Sequence, residues 1–236
     1  QACQPHSPYG FAATQRTAQP ICREAYLVAY DAPVKIPAYV AYTLTPPNAL
    51  GCWPRTNAFV ADKSVQGGAR PDDYAGTGYD KGHAAPDGDL SWSQQVEYES
   101  FLMTNMYPQH GSLNRGIWKQ LEEKIRTWAP ANRPLFIVTG PVLKDSLTQF
   151  IGNYNRITVP KRFYKVLLDT AKPMRAIGFV FDNQGSQLPL SHFAMSIDAV
   201  EKITGINFFP ALEKSSQSAQ AMAVESTLNT QKWIWN

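Results

Sequence analysis

Apolar residues alternate with small or polar ones in "AYLVAYD" (25–31) and "VKIPAYVAYTLT" (34–45), and Pro33 marks the turn between them. This period-two pattern, rich in Val, Tyr, Leu and Ile, predicts two strands. "TNAFVAD" (56–62) predicts another short strand, and residues 67–79 form a polar, glycine-rich loop long enough to suggest function. The period then changes. "SQQVEYESFLMTNMYPQ" (93–109) predicts a helix from about Ser93 to Thr104, ended ahead of Pro108. "SLNRGIWKQLEEKIRTWA" (112–129) is the clearest amphipathic helix: Ile117, Trp118, Leu121, Ile125 and Trp128 recur at helical spacing, and Pro130 and Pro134 stop it. Strands return at "LFIVTG" (135–140), "RITVP" (156–160), "FYKVLLD" (163–169) and "RAIGFVFD" (175–182). A short helix over 196–204 starts at a Ser196 cap and ends at Gly205. Residues 1–25 read as irregular, and the tail after Lys214 closes on "WIW", a helix or strand docked by its tryptophans. Strands and helices without strict alternation predict an α+β fold. No linker splits the pattern, so one domain is expected over 25–236 behind an arm over 1–24.

Composition adds bounds rather than identity. The chain has 236 residues and 44% hydrophobic content, enough to bury a real core. No apolar run approaches the roughly 18 residues that cross a bilayer, so no membrane partner is expected. A net charge of +3 permits a polyanionic partner without demanding one. The first residue is Gln1, and the cysteines are Cys3, Cys22 and Cys52. These features fit an exported protein whose signal peptide has been removed, so a secreted or periplasmic location is expected. A Cys3–Cys22 bridge tethering the arm is the favoured pairing; Cys22–Cys52 competes with it, and three cysteines leave the choice open.

Candidate chemistry concentrates in "YDKGHAAPDGD" (79–89), where His83 sits three positions after Asp80 with Gly82 between them. A lone histidine is a weak signal, and the other three, His6, His110 and His192, fit structural or exposed roles. Partners lie on the amphipathic helix. Asn114, Trp118, Glu122 and Arg126 are each four apart, along one turning stripe. A Glu–Arg pair at that spacing is by default an ordinary surface ion pair. Together with His83, however, the stripe offers an amide oxygen and a carboxylate for a hard cation, an arginine for an anion and an imidazole for a proton. Phosphodiester hydrolysis needs that set. The phosphate is anionic and must be neutralised, and the attacking water must lose a proton.

The segments "GTGYDKGHAAPDGD" and "ESFLMTNMYPQHGSLNRGIWKQLEEKIR" resemble the DNA/RNA non-specific endonuclease family, which includes the Serratia-type secreted nuclease and mitochondrial endonuclease G. "PAYVAYTL", the Arg55, Phe59, Asp62 spacing, "TGP" (139–141), "VPKRFYKVLLD", "AIGFVF" and "SIDAVEKITGINFFPAL" are similar to further family motifs in the same order, from about residue 25 to about 213. The resemblance implies a ββα-metal fold with a mixed, largely antiparallel sheet flanked by helices. It implies a Mg²⁺-dependent nuclease, with Mn²⁺ as a substitute, that cuts DNA and RNA to 5′-phosphate products. By position, His83 is similar to the general base of the family's Asp-Arg-Gly-His motif and Asn114 to its metal ligand. Glu122 matches the carboxylate that orients waters around the metal. Arg126 and Arg55 match phosphate-holding arginines. Asn105 and Gln109 resemble polar residues that help build the site, and Asp80 an anchor of the motif beside Lys81.

Two positions depart from the family pattern. Lys81 stands where the family has arginine, keeping charge but losing the bidentate grip, and Ala84 replaces a bulky apolar residue. The base and the metal ligand remain, so activity is expected. Two readings compete: a nucleic-acid-binding or uptake module that does not cut, and a toxin or effector nuclease restrained by an immunity partner. A protein inhibitor is therefore among the partners considered, and monomer and homodimer both stay open.

Overall fold

The computed structural model describes residues 3–129, 134–215, 218–228 and 233. The chain begins with strand β1 (Gln19–Cys22), followed by β2 (Leu27–Asp31) and β3 (Ile36–Leu44). Next come β4 (Tyr79–His83), helices α1 (Asp87–Leu90) and α2 (Gln94–Ser100), β5 (Met106–His110), α3 (Trp118–Trp128) and β6 (Leu135–Pro141). A small hairpin, β7 (Phe150–Ile151) with β8 (Ile157–Thr158), precedes β9 (Arg162–Asp169) and β10 (Arg175–Asp182). Strand β11 (Ala194–Met195) and helices α4 (Ile197–Thr204), α5 (Pro210–Glu213) and α6 (Ser218–Ser226) complete it.

A seven-stranded sheet in the order β1-β2-β3-β6-β9-β10-β11 is the backbone of this α+β fold, and its neighbouring strands pair antiparallel throughout. Alternation along each strand feeds two cores. In β9, Phe163 and Leu167 join one cluster with α3, while Tyr164 and Val166 join another with α4. On the first face, the buried Trp118 of α3 sits edge-on to Phe163 and Phe181, each at 6.0 Å between ring centroids. The β4–β5 hairpin and α3 are carried on that face, forming the expected ββα unit. Cys3 and Cys22 form a disulfide, and Cys52 is free and exposed. Among the described residues no helix is long and apolar enough to cross a membrane.

Several predicted elements change in the structure. Within the supposedly irregular arm, Gln19–Cys22 is an edge strand against β2. "TNAFVAD" is not a strand: Asn57 has a φ of 55°, which breaks extended backbone, and only Val60 makes a bridge, to Leu102. The helix expected over 93–104 is capped by Ser93 but ends at Ser100, where the chain turns to bury Phe101 and Met103. Pro108 does not stop a helix; it lies in β5 opposite Lys81. The helix expected from 112 begins at Trp118, after a wide turn over Leu113–Ile117 in which Gly116 leaves helical geometry. "RITVP" contributes only Ile157 and Thr158 to a strand. Of the closing "WIW", Trp233 is buried against Trp128 at 4.9 Å between rings, and its flanking residues lie outside the described residues.

Candidate active site

Strand β4 delivers His83 to the mouth of a cleft of about 450 Å³. Its walls include Arg55, Lys81, Asn114, Glu122 and Arg126, so the β4 motif and the α3 stripe meet as the sequence predicts. His83 is buried, edge-on to Phe101 at 5.0 Å, and its Nε2 has no hydrogen-bond partner among the described residues. Burial, seconded by the Arg55 charge, pushes its pKa down to about 3. The imidazole is therefore neutral across the working pH range, with a lone pair to accept a proton.

Two glycines make room for this geometry. A Cβ on Gly82 would sit 2.0 Å from Oε1 of Gln109, whose side chain lies across the strand. A Cβ on Gly88 would sit 2.8 Å from Nη1 of Arg126. That guanidinium passes over the glycine to donate to Asp89 at 2.9 Å, and Asp89 also accepts from the Tyr42 hydroxyl at 2.7 Å. Arg126 is thus held in place, and its other two nitrogens are unpaired among the described residues. Arg55 donates to Asp87 at 3.0 Å and to Asn57 at 2.7 Å, with its guanidinium 5.0 Å over Phe101. Lys81 makes no ion pair among the described residues; its ammonium lies 5.1 Å over Phe59 and 5.8 Å over Tyr74.

Asp80 does not line the cleft but determines how Asn114 enters it. The Asn114 Nδ2 donates to the Asp80 carboxylate at 2.9 Å. A carboxylate only accepts, so the amide nitrogen must face Asp80 and the amide oxygen is left for another partner. Arg115 pairs with the same carboxylate at 3.0 Å. Glu122 and Asp87 are carboxylates of the cleft wall, and Asp87 is taken up by Arg55. Burial pushes Glu122 up to about 7, against the opposing pull of Lys165 and Arg126. Lys165, fully buried in β9, donates to the Ala84 carbonyl at 3.4 Å and lies 4.8 Å over the Trp118 ring. Burial pushes its pKa down, with Glu122 and Asp89 pulling the other way.

Besides Asp80, two predicted site residues stand outside the cleft. Asn105 is fully buried: its Oδ1 accepts from the Ala85 N–H and its Nδ2 donates to the Ala85 carbonyl, at 3.0 and 2.9 Å. It braces the turn after His83 and does not reach the cleft. Gln109 is also fully buried, packed over Gly82, which takes it out of reach of a substrate. Sequence reading missed Asp87, Arg115, Lys119 and Lys165. The first three lie beside recognised motif residues and line the cleft; Lys165 comes from a distant strand that only the sheet order brings near.

Among the described residues no group of three or more His, Cys, Asp or Glu side chains gathers as a metal cage. The available donors instead include the Asn114 oxygen and the Glu122 carboxylate, with Asp87 also in the wall. That set fits a hard divalent cation that keeps most of its waters and takes few protein ligands.

The family model for DNA/RNA non-specific endonuclease matches residues 4–215. The mitochondrial nuclease EXOG of Danio rerio is 33% identical over 211 residues, 82% of this chain and 61% of that protein. The mitochondrial nuclease of Saccharomyces cerevisiae is 32% identical over 223 residues, 84% of this chain and 67% of that protein. Bovine mitochondrial endonuclease G, from Bos taurus, is 28% identical over 219 residues, 86% of this chain and 73% of that protein. The chain spans 60 to 64% of the length of the EXOG relatives it matches from zebrafish, mouse and human. A solved endonuclease G chain, from the EndoG/EndoGI complex in which EndoG is inhibited, superposes with a TM-score of 0.80 at 25% identity. The match covers 91% of this chain and 94% of that one. These relatives correct the expected secreted or periplasmic location, because they are mitochondrial nucleases. The reason for the miss is physical: a cysteine pair reports redox chemistry, and a first residue other than Met carries no address.

Proposed function

The chain belongs to the DNA/RNA non-specific endonuclease family, and from that premise we propose that its cleft hydrolyses phosphodiester bonds in DNA and RNA without regard to sequence. The observation that carries the proposal is the neutral imidazole of His83 lining a cleft walled by Arg55, Lys81 and Arg126. A neutral imidazole where cations converge points to a proton acceptor beside a bound anion.

In this reading Arg55, Lys81 and Arg126 hold the phosphate by its non-bridging oxygens, contacts that carry no base information. The His83 imidazole takes one proton from a water whose oxygen attacks phosphorus. The new P–O bond forms as the bond to the 3′ oxygen breaks, which leaves the phosphate on the 5′ side. Glu122 accepts hydrogen bonds from ordered water in the cleft and adds negative charge to balance the arginines. Asn114, fixed by Asp80, and Glu122 would hold a divalent cation, Mg²⁺ by default with Mn²⁺ as substitute. When bound, it supplies charge neutralisation at the phosphate and the leaving oxygen. Asn105 and Gln109 act by positioning the strands, and the arm tethered at Cys3 adds β1 to the sheet of one catalytic domain. Inhibition of the solved neighbour in its EndoG/EndoGI complex makes a protein inhibitor a partner to try against this cleft.

The experiment is digestion of supercoiled plasmid and of total RNA, with Mg²⁺ or EDTA, followed by end-group analysis. Degradation of both substrates, arrest by EDTA and 5′-phosphate ends are expected. Retardation of DNA without cleavage would instead favour a binding module on the same scaffold.

A further inference from the structure

Beyond the cleft, β4 continues toward a second surface of cations and aromatic rings. Side chains two apart on a strand share a face, so Tyr79 follows Lys81 and His83 along one side of β4. The Tyr79 hydroxyl accepts a hydrogen bond from Gln149 at 2.6 Å, immediately before the β7–β8 hairpin. On that hairpin the guanidinium of Arg156 lies 3.6 Å over the Phe150 ring. At its tip Tyr154 is 68% exposed, and the Arg70 guanidinium covers it at 5.7 Å.

This surface is held rigidly to the cleft. The buried Asp73 carboxylate accepts from the N–H groups of Arg70, Tyr154 and Asn155 and from the Asn155 amide, at 2.7 to 2.9 Å. Burial works against its charge, but these donors outweigh it and hold the carboxyl below its usual range. The hairpin and the loop before β4 are therefore joined through Asp73. The next residue, Tyr74, is the ring under the Lys81 ammonium.

We propose that this hairpin is a nucleic-acid subsite, in which an unpaired base stacks on Tyr154 while Arg70 and Arg156 hold the strand leaving the cleft. The proposal rests on the phosphodiesterase reading above for the direction of the strand. Two arginines around one exposed aromatic ring fit a single strand rather than a duplex, whose bases are stacked on each other. Stacking accepts every base, so the subsite adds grip without sequence preference. It would bias the protein toward single-stranded DNA, RNA and frayed ends.

The test uses a fluorescein-labelled 20-nucleotide single-stranded DNA, with binding read by anisotropy in EDTA and cleavage read in Mg²⁺. Tyr154→Ala is expected to weaken binding by about 5-fold or more, the loss typical of one stacked base. Tyr154→Phe, which keeps the plane, should bind as wild type does. In cleavage the alanine variant should show the loss in KM rather than kcat. Equal binding by wild type and Tyr154→Ala overturns the subsite, whether or not the protein cuts. Absence of cleavage by wild type together with a Tyr154-dependent affinity would overturn only the catalytic reading.

Discussion

Helices α3 and α4 lie on opposite faces of one sheet, yet they enter it by different rules. At the start of α4, Ser196 caps the helix by accepting from the Ala199 N–H at 3.3 Å. At its end Gly205 takes the left-handed conformation at φ 74°, which costs glycine little. Helix α3 has no side-chain cap and follows a wide turn in which Gly116 is not helical. That irregular turn is what presents Asn114 to Asp80 and the cleft. Local rules are kept where the fold needs only stability and broken where a side chain must be aimed.

The comparison is sharpened most by Asn114→Ala. With partners outside the donor shell already worth about 10- to 100-fold at metal sites, removing the donor itself should lower activity in Mg²⁺ by about 100-fold or more. The melting temperature should fall only slightly, because the turn spends no cap on this side chain and the loss is its hydrogen bond to Asp80; a large drop would make Asn114 structural. A second variant strikes the strand beside it. In Gly82→Ala the added methyl meets the buried Gln109 amide, and overpacking of this kind costs about 1–3 kcal/mol. Urea unfolding should report that loss.

Acid stability gives a third prediction. His83 has its folded pKa lowered to about 3 from 6.5, so between those values the unfolded chain binds a proton that the native protein does not. Stability from this group is full above about pH 6.5 and is lost as pH falls toward 3. Glu122, raised to about 7 from 4.5, works in the opposite sense, stabilising the fold as pH falls through that window. Comparing wild type with His83→Ala by urea unfolding from pH 7 to 4 isolates the histidine: the wild type should lose more stability on acidification. Parallel pH curves would contradict the buried neutral imidazole. The smallest effect belongs to α4, where Ser196→Ala should cost about 1 kcal/mol as cap replacements do and leave nuclease activity unchanged.

The same contrast explains what the sequence made legible. Helix α4 could be placed within a residue because cap, apolar spacing and terminal glycine agree. The expected start of α3 lies six residues early, since Ile117 continues the apolar period while the backbone below it is not yet helical. His83, Asn114, Glu122, Arg126, Arg55 and Lys81 were readable as one site because motif order carried them. Asn105 and Gln109 sit among those motifs, but whether a polar side chain faces a cleft or braces a strand depends on packing. Lys165 had no local signal at all: it looks like any strand lysine until β9 is set beneath Ala84 and Trp118.

The central claim is that His83 takes the proton from the attacking water. The direct measurement is the rate of plasmid nicking by His83→Ala, shown to be folded by circular dichroism, with and without added imidazole. A loss of about 100- to 10,000-fold, the range for a general base, with partial recovery that rises with imidazole concentration, is the predicted result. A variant that nicks plasmid at the wild-type rate would contradict the account.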